Sequence, residues 1–314
     1  MNSSSTDLNV SENVILLFFI LGGLLAITGI FFNFCLCFIF YHEKSLSKTS
    51  YGIFIIALSI TDIIKLTAEY ILHIAYFYIQ HPYFVCSLTW FLTMISENLS
   101  YSFLCALGIE RNLKVWAVDQ YYLITRQRAY IITIILIVFV FLHDHFFLFP
   151  PYQVSYSFVH LYNHSILFSC DNAYYESYGY KYSLTDLIFI QSIGLNNFLL
   201  PLLILTINFL LIIGLKRRLY QRRNRLGRRK TNDWKEQNVI FYVLLSSIAF
   251  VLLTSPTGIL SAWSSVFKQK LITNNLAIIL ELMEIVHHCS HFPILLMTSS
   301  VIRNKTAQRF FHFR

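Results

Sequence analysis

Residues 100–116 read SYSFLCALGIERNLKVW, an apolar run that meets water at the triplet Glu110-Arg111-Asn112. An acid, an arginine and a polar residue at the foot of a long apolar helix read as a lockable charge at a membrane surface. That reading requires the run to be a membrane span, and composition supplies the first test. Of 314 residues, 56% are hydrophobic and 13% charged, with a mean hydropathy of +0.58. This is too oily for a water-soluble globule. A helix needs roughly 20 mostly apolar residues to cross about 30 Å of hydrocarbon, and its backbone polar groups must be satisfied within the segment. Seven such runs occur, at about residues 13–41, 51–79, 86–111, 129–150, 185–215, 237–267 and 272–300. They predict an all-α membrane protein, a seven-transmembrane helix bundle.

Lysine and arginine are retained on the cytoplasmic side of a membrane. With the N-terminus outside, twenty of the 24 lysines and arginines fall on inner segments, against Lys181, Lys268 and Lys270 outside and Lys65 within a span. The bias predicts an extracellular N-terminus and a cytoplasmic C-terminus. It makes the net charge of +8 a topology signal, with no nucleic acid implied. The first twelve residues lack a basic n-region, so span one is expected to be its own anchor. Sequons at Asn2, Asn9 and Asn163 fall on the outer face and are glycosylation candidates. Asn98 and Asn304 match the same short pattern where no glycan can be added.

Of six cysteines, Cys35, Cys37, Cys105 and Cys289 lie within spans and read as small buried apolar residues. Cys86 opens span three at the outer face and Cys170 lies in the long outer segment between spans four and five, so both meet the oxidising compartment. We expect them to be bonded; two unpaired thiols are the alternative.

A cysteine at the top of span three, 25 residues before an arginine that follows an acid, resembles the rhodopsin-like family of G-protein-coupled receptors. The likeness runs along the chain. Asn33 is similar to the family's polar anchor of span one, and Leu58-Ser59-Ile60-Thr61-Asp62 to its Leu-Ala-x-x-Asp in span two. Pro201, Pro256 and Pro293 stand within spans five, six and seven as the family has them, and Phe250 is grouped with them as a hinge residue. There are departures. Thr254 replaces a tryptophan in Leu253-Thr254-Ser255-Pro256, and Asn-Pro-x-x-Tyr reads Phe292-Pro293-Ile294-Leu295-Leu296. Phe209 replaces the span-five tyrosine, span four lacks its tryptophan, and the triplet reads Glu-Arg-Asn in place of Asp-Arg-Tyr.

The resemblance implies a plasma-membrane receptor with an extracellular segment 1–12, a seven-helix domain 13–300 and a cytoplasmic end 301–314. It implies an extracellular ligand, a heterotrimeric G protein as partner, and Glu110, Arg111 and Asn112 as the coupling switch. Arg303 to Phe311 reads as a short amphipathic eighth helix along the membrane, anchored by Phe310 and Phe311. Proline inside a helix removes a backbone hydrogen bond and leaves a weak point for bending, the physical reason for hinges at the three prolines. Prolines are also simply commoner in membrane helices.

Ionisable groups within spans are costly and mark function. Asp62, Lys65 and Glu69 share one face of span two, which predicts an internal ion ladder. The resemblance implies a sodium ion at Asp62, with Ser100 as an oxygen donor, but Phe292 and His288 stand where the family offers asparagines. No cofactor or metal is assigned. Glu97 lies fourteen residues before Arg111, and Glu281, Glu284, His288 and His291 recur at helical spacing in span seven. Outer segments add Asp7, Glu12, Asp144, Asp171, Glu176 and Asp186 against three lysines. An acidic outer half predicts a positively charged ligand, a peptide with a basic residue; acids hydrogen-bonded internally, with no ligand role, are the alternative.

By the same resemblance, an amine receptor has an aspartate where Thr93 stands, and an opsin has a lysine in span seven, where 272–300 has none. The outer segment 151–184, with its aromatic stretch Asn172 to Tyr180, resembles the hairpin that peptide receptors fold over an open cavity. The basic run from Lys216 to Lys230 reads as an inner loop suited to a partner or to anionic lipid. No Gly-rich phosphate loop, His-Glu-x-x-His or nucleophile elbow occurs, so no enzymatic activity is expected. Adjacent residues on a helix diverge, and His143-Asp144-His145 is not read as a metal site. The competing class is a transporter or channel with a charged pathway through Asp62, Lys65, Glu69 and Glu97. It lacks a visible inverted repeat.

Overall fold

The computed structural model describes residues 12–78, 83–116, 125–145, 155–161, 164–169, 199–224, 233–267 and 274–310. The helices are α1 (Glu12–His42), α2 (Lys44–Ser47), α3 (Ser50–Tyr78), α4 (Tyr83–Trp116), α5 (Arg126–Asp144), α6 (Leu200–Asn224), α7 (Asp233–Phe267), α8 (Asn274–Thr298) and α9 (Ser300–Phe310). The all-α membrane bundle is as expected. Windows within α1, α3, α5, α6 and α7 are long and apolar enough to cross a membrane, and α8 joins them when taken with α9, from which it bends by 100°. α4 is distinguished by its charges, Glu97, Glu110, Arg111 and Lys114. It packs against α3, α5, α6 and α7, so these charges stand at the centre of the bundle and away from lipid.

Burial follows the solvent. Leu36, Phe54, Phe103, Leu107, Tyr242 and Val243 are fully buried, whereas Ile134, Leu142, Leu202, Phe209 and Leu252 are more than half exposed, as the lipid face of a bundle requires. Lipid tails are as apolar as leucine, so helices in a membrane gain their packing from close approach over small residues. α4 and α6 meet in this way. A Cβ at Gly214 would lie 2.6 Å from Val115 Cγ1, and one at Gly108 2.7 Å from Ile207 Cγ2.

Several boundaries differ from the apolar runs. α4 continues past the triplet to Trp116, because Glu110 and Lys114 pair at 2.5 Å across one turn and extend the helix beyond its oily stretch. α6 runs on to Asn224, so Lys216 to Arg223 are helical rather than loop. Thr125 caps α5, its hydroxyl oxygen accepting from the Arg128 N–H at 3.3 Å. At the α8–α9 corner the Ser299 hydroxyl accepts from Ile302 N–H at 3.3 Å, and Arg303 Nη1 donates to the carbonyls of Leu296 and Met297, each at 2.8 Å. The two Arg303 bonds satisfy carbonyls at the end of α8 that its own ladder leaves open, and the Ser299 hydroxyl caps the start of α9. Lys305 meets Glu43 at 3.2 Å, fixing α9 beside the α1–α2 junction.

The bundle carries one addition within the described residues. β1 (Ser155–Leu161) and β2 (His164–Ser169) pair antiparallel, with Val159 opposite Ile166 and Leu161 opposite His164, and β2 lies against α3. The hairpin falls within the long segment 151–184.

Candidate functional site

At one end of α4 the triplet is not at a water boundary. Glu110 is fully buried and Arg111 only 4% exposed. The Glu110 carboxylate divides its two oxygens. Oε2 lies 2.8 Å from Arg111 Nε, and Oε1 accepts from Ser50 Oγ and lies by Lys114 Nζ, both at 2.5 Å. The Arg111 guanidinium also lies 4.6 Å from the centre of the Tyr51 ring. Asn112 turns the other way, donating from Nδ2 to the Ile207 carbonyl at 2.8 Å and to that of Gly108 at 3.1 Å. Trp116 Nε1 donates to Leu210 O at 3.2 Å, and Arg218 donates to the carbonyls of Val115 and Lys114. The two glycines of the α4–α6 contact are what bring these donors within reach. Phe209, in place of the tyrosine that the resemblance leads one to expect, is 64% exposed on the far face of α6.

Midway along the bundle, Asp62 is fully buried. It accepts from Ser100 Oγ at 2.7 Å and from His288 Nδ1 at 2.8 Å, with His291 Nε2 at 3.5 Å from its other oxygen. The expected ladder from Asp62 to Lys65 is therefore corrected. A short aspartate reaches α4 and α8, while the longer lysine stem carries its ammonium toward the next turn. Both Asp62 donors present hydrogens, so a sodium ion there would meet N–H and O–H groups in place of the oxygen lone pairs it prefers. Among the described residues no group of three or more His, Cys, Asp or Glu is arranged to hold a metal. Asn33 Nδ2 donates to His288 O at 2.9 Å and to Gly29 O at 3.0 Å, tying α1 to α8 at the same level.

One turn further, Lys65 Nζ stands 2.6 Å from Glu284, 2.9 Å from Glu97 and 3.7 Å from Glu69. Three helices converge on this ammonium, with three carboxylates against one cation. Glu97 and Glu284 also line a small cavity, with room for about one water-sized group, together with Tyr101, Pro201, Thr254, Ser255 and Thr257. Such a site can hold a small cation or the head of a basic side chain. Thr254, where the resemblance expects tryptophan, donates to Phe250 O at 2.7 Å. Phe250 is fully buried and packs edge-on to Tyr101, ring centres 4.6 Å apart.

Thr93 is buried one turn before Glu97, and Glu281 is half-buried one turn before Glu284. Pro256 and Pro293 lie inside α7 and α8. Asp144, an outer acid by its place in the sequence, is instead fully buried, accepting from Asn98 Nδ2 at 2.8 Å and His143 Nδ1 at 2.6 Å. The i,i+3 and i,i+4 rules see only one helix, so a partner on α4 could not be anticipated for it. Asn2, Asn9, Asn163, Cys170 and the Cys86 side chain lie outside the described residues. Ser50, Tyr51, Lys114, Tyr101 and His287 join the site beyond the residues that the sequence points to. Of these only Lys114 had a local signal, standing four residues after Glu110.

A family model described as serpentine type 7TM GPCR chemoreceptor Srw matches residues 20–313. No curated protein matches the chain. A seven-helix bundle charged along its central helix, matched over nearly its whole length, belongs to the Srw family of serpentine seven-transmembrane G-protein-coupled chemoreceptors.

Proposed function

We propose that the chain is a plasma-membrane receptor of the rhodopsin-like kind, which binds an extracellular peptide through a basic residue and activates a heterotrimeric G protein. Its N-terminus is extracellular and its C-terminus cytoplasmic, with the receptor domain at 13–300 and α9 along the inner membrane surface. The observation that carries this reading is the course of α4. One helix holds Glu97 at the cavity and Arg111 at the opposite end, fourteen residues apart, or roughly 21 Å of helix. A ligand that alters the pairs of Glu97 therefore acts on the same rigid element that positions the coupling arginine.

The surplus of carboxylates around Lys65 supports a cationic ligand, since buried carboxylates favour a further positive charge. Thr93 in place of an aspartate argues against the amine-receptor mode, and the hairpin over the outer half favours a peptide. A Cys86–Cys170 bond and glycans at Asn2, Asn9 and Asn163 belong to the same reading. The protein has no catalytic step of its own. By linkage, the G protein tightens ligand binding by the factor with which ligand tightens G-protein binding. A library of basic and acidic peptides, applied to cells expressing the chain with a promiscuous G protein, tests it. Basic peptides should stimulate nucleotide exchange. Equal responses to both classes would overturn the cationic assignment, and solute flux without G protein would favour a transporter.

A further inference from the structure

We propose that Lys114 is a resident counter-charge that keeps Glu110 neutralised when Arg111 leaves it, and so sets how readily the receptor engages its G protein. The inference rests on the receptor reading above and deepens it at the Arg111 end of α4.

A fully buried carboxylate that loses its cation must take up a proton or stand as a bare buried charge, and the second is strongly unfavourable. Glu110 faces that problem if Arg111 is its sole partner. It is not. Arg111 holds Oε2, while Lys114 and Ser50 hold Oε1, so the two cations do not share an oxygen. Withdrawal of Arg111 leaves Oε1 fully dressed. Lys114 Nζ also donates to Ser50 Oγ at 3.4 Å, which closes a triangle of Glu110, Ser50 and Lys114 that does not involve Arg111.

The second half of the argument concerns Arg111 itself. Its Nη2 is buried without a hydrogen-bond partner, and the guanidinium is held by one carboxylate oxygen and the face of Tyr51. Donors left unsatisfied in a buried site favour movement toward a new acceptor. Lys114 has the opposite disposition. Its side chain is 23% exposed, so the stem reaches inward from the water boundary and the ammonium stays on Glu110 whether or not Arg111 does. Glu before Lys at i,i+4 is the favourable order on a helix. The charged and titratable groups around Glu110 are thus Arg111 and Lys114 on α4 and Tyr51 on α3. Lys114 is a positioning residue: it acts on the G protein through the freedom it gives Arg111.

The test is the affinity of a nucleotide-free G-protein heterotrimer for the full chain in lipid nanodiscs, without added ligand. Lys114→Gln should weaken binding about tenfold, within the usual range of coupling between two sites, and Lys114→Arg should restore it. In a Glu110→Gln background there is no carboxylate to neutralise, so Glu110→Gln/Lys114→Gln should bind as Glu110→Gln does. Wild-type affinity in Lys114→Gln would overturn the inference. So would an equal tenfold loss in the Glu110→Gln background, which would mark a direct contact of Lys114. If Lys114→Gln fails to fold, the comparison of the double variant with Glu110→Gln decides alone. Arg111→Ala separates the levels. Lost binding in that variant with normal binding in Lys114→Gln defeats only this inference, whereas normal binding in Arg111→Ala defeats the receptor reading beneath it.

Discussion

Lys65 concentrates more of the buried charge than any other side chain described. Its ammonium holds Glu69 on its own helix, Glu97 on α4 and Glu284 on α8, so Lys65→Met would leave three carboxylates facing one another. We expect a loss of about 3–5 kcal/mol, the usual cost of breaking a buried pair from one side, seen as a lowered thermal midpoint in detergent. Lys65→Met/Glu284→Gln should regain part of it, because one of the stranded charges is gone. The Lys65–Glu69 pair is written in the sequence as i,i+4 on an apolar helix. The pairing with Glu97 and Glu284 was not legible. Spacing along a span gives depth in the membrane and face on one helix, but not which faces of three helices meet. The same gap hid Ser50 from Glu110, Tyr51 from Arg111, and Asn98 from Asp144. His287 falls outside the helical spacing of Glu281, Glu284, His288 and His291; the structure nonetheless buries both His287 and His288, with ring centres 5.0 Å apart.

At the level of elements, the α4–α6 seam joins glycine contacts to side-chain caps. Gly214→Ala places a methyl group 2.6 Å from Val115 Cγ1 and 2.9 Å from Trp116 Nε1. α6 must then back away, at a cost of about 1–3 kcal/mol for overpacking. The measurement is the thermal midpoint, and Gly214→Ala should also weaken the bond of Trp116 to Leu210, read as a shift in tryptophan emission. Asn112→Leu removes the donors to Gly108 and Ile207 from a half-buried site and should cost about 1 kcal/mol in the same assay. Among the described residues, helix positions follow the oily runs, except where charge extends a helix. α4 and α6 both continue into basic sequence, since Lys114 and Arg218 find acceptors there: the Glu110 carboxylate and the last carbonyls of α4. The α8–α9 corner was legible only as a change from apolar to amphipathic sequence, while its seal by Ser299 and Arg303 emerged from the structure.

For the molecule as a whole, the placement of α4 among α3, α5, α6 and α7 unites features that the sequence scatters. The seven-helix bundle was legible because a membrane permits few backbones, and the receptor class because the prolines of spans five to seven, Asp62 and Arg111 fall in a familiar order; the family was not, since the resemblance pointed to rhodopsin-like receptors and the chain matches the Srw chemoreceptors. The switching contacts were legible only within α4, as the Glu110–Lys114 spacing; Ser50 and Tyr51 come from α3 and the Ile207 carbonyl from α6. The central claim is that Arg111 couples this bundle to a G protein. It is tested most directly by nucleotide exchange on a reconstituted heterotrimeric G protein, comparing wild type with Arg111→Ala at equal surface expression and equal binding of an activating peptide. The account predicts that Arg111→Ala falls to the rate seen without receptor; exchange at the wild-type rate would contradict it.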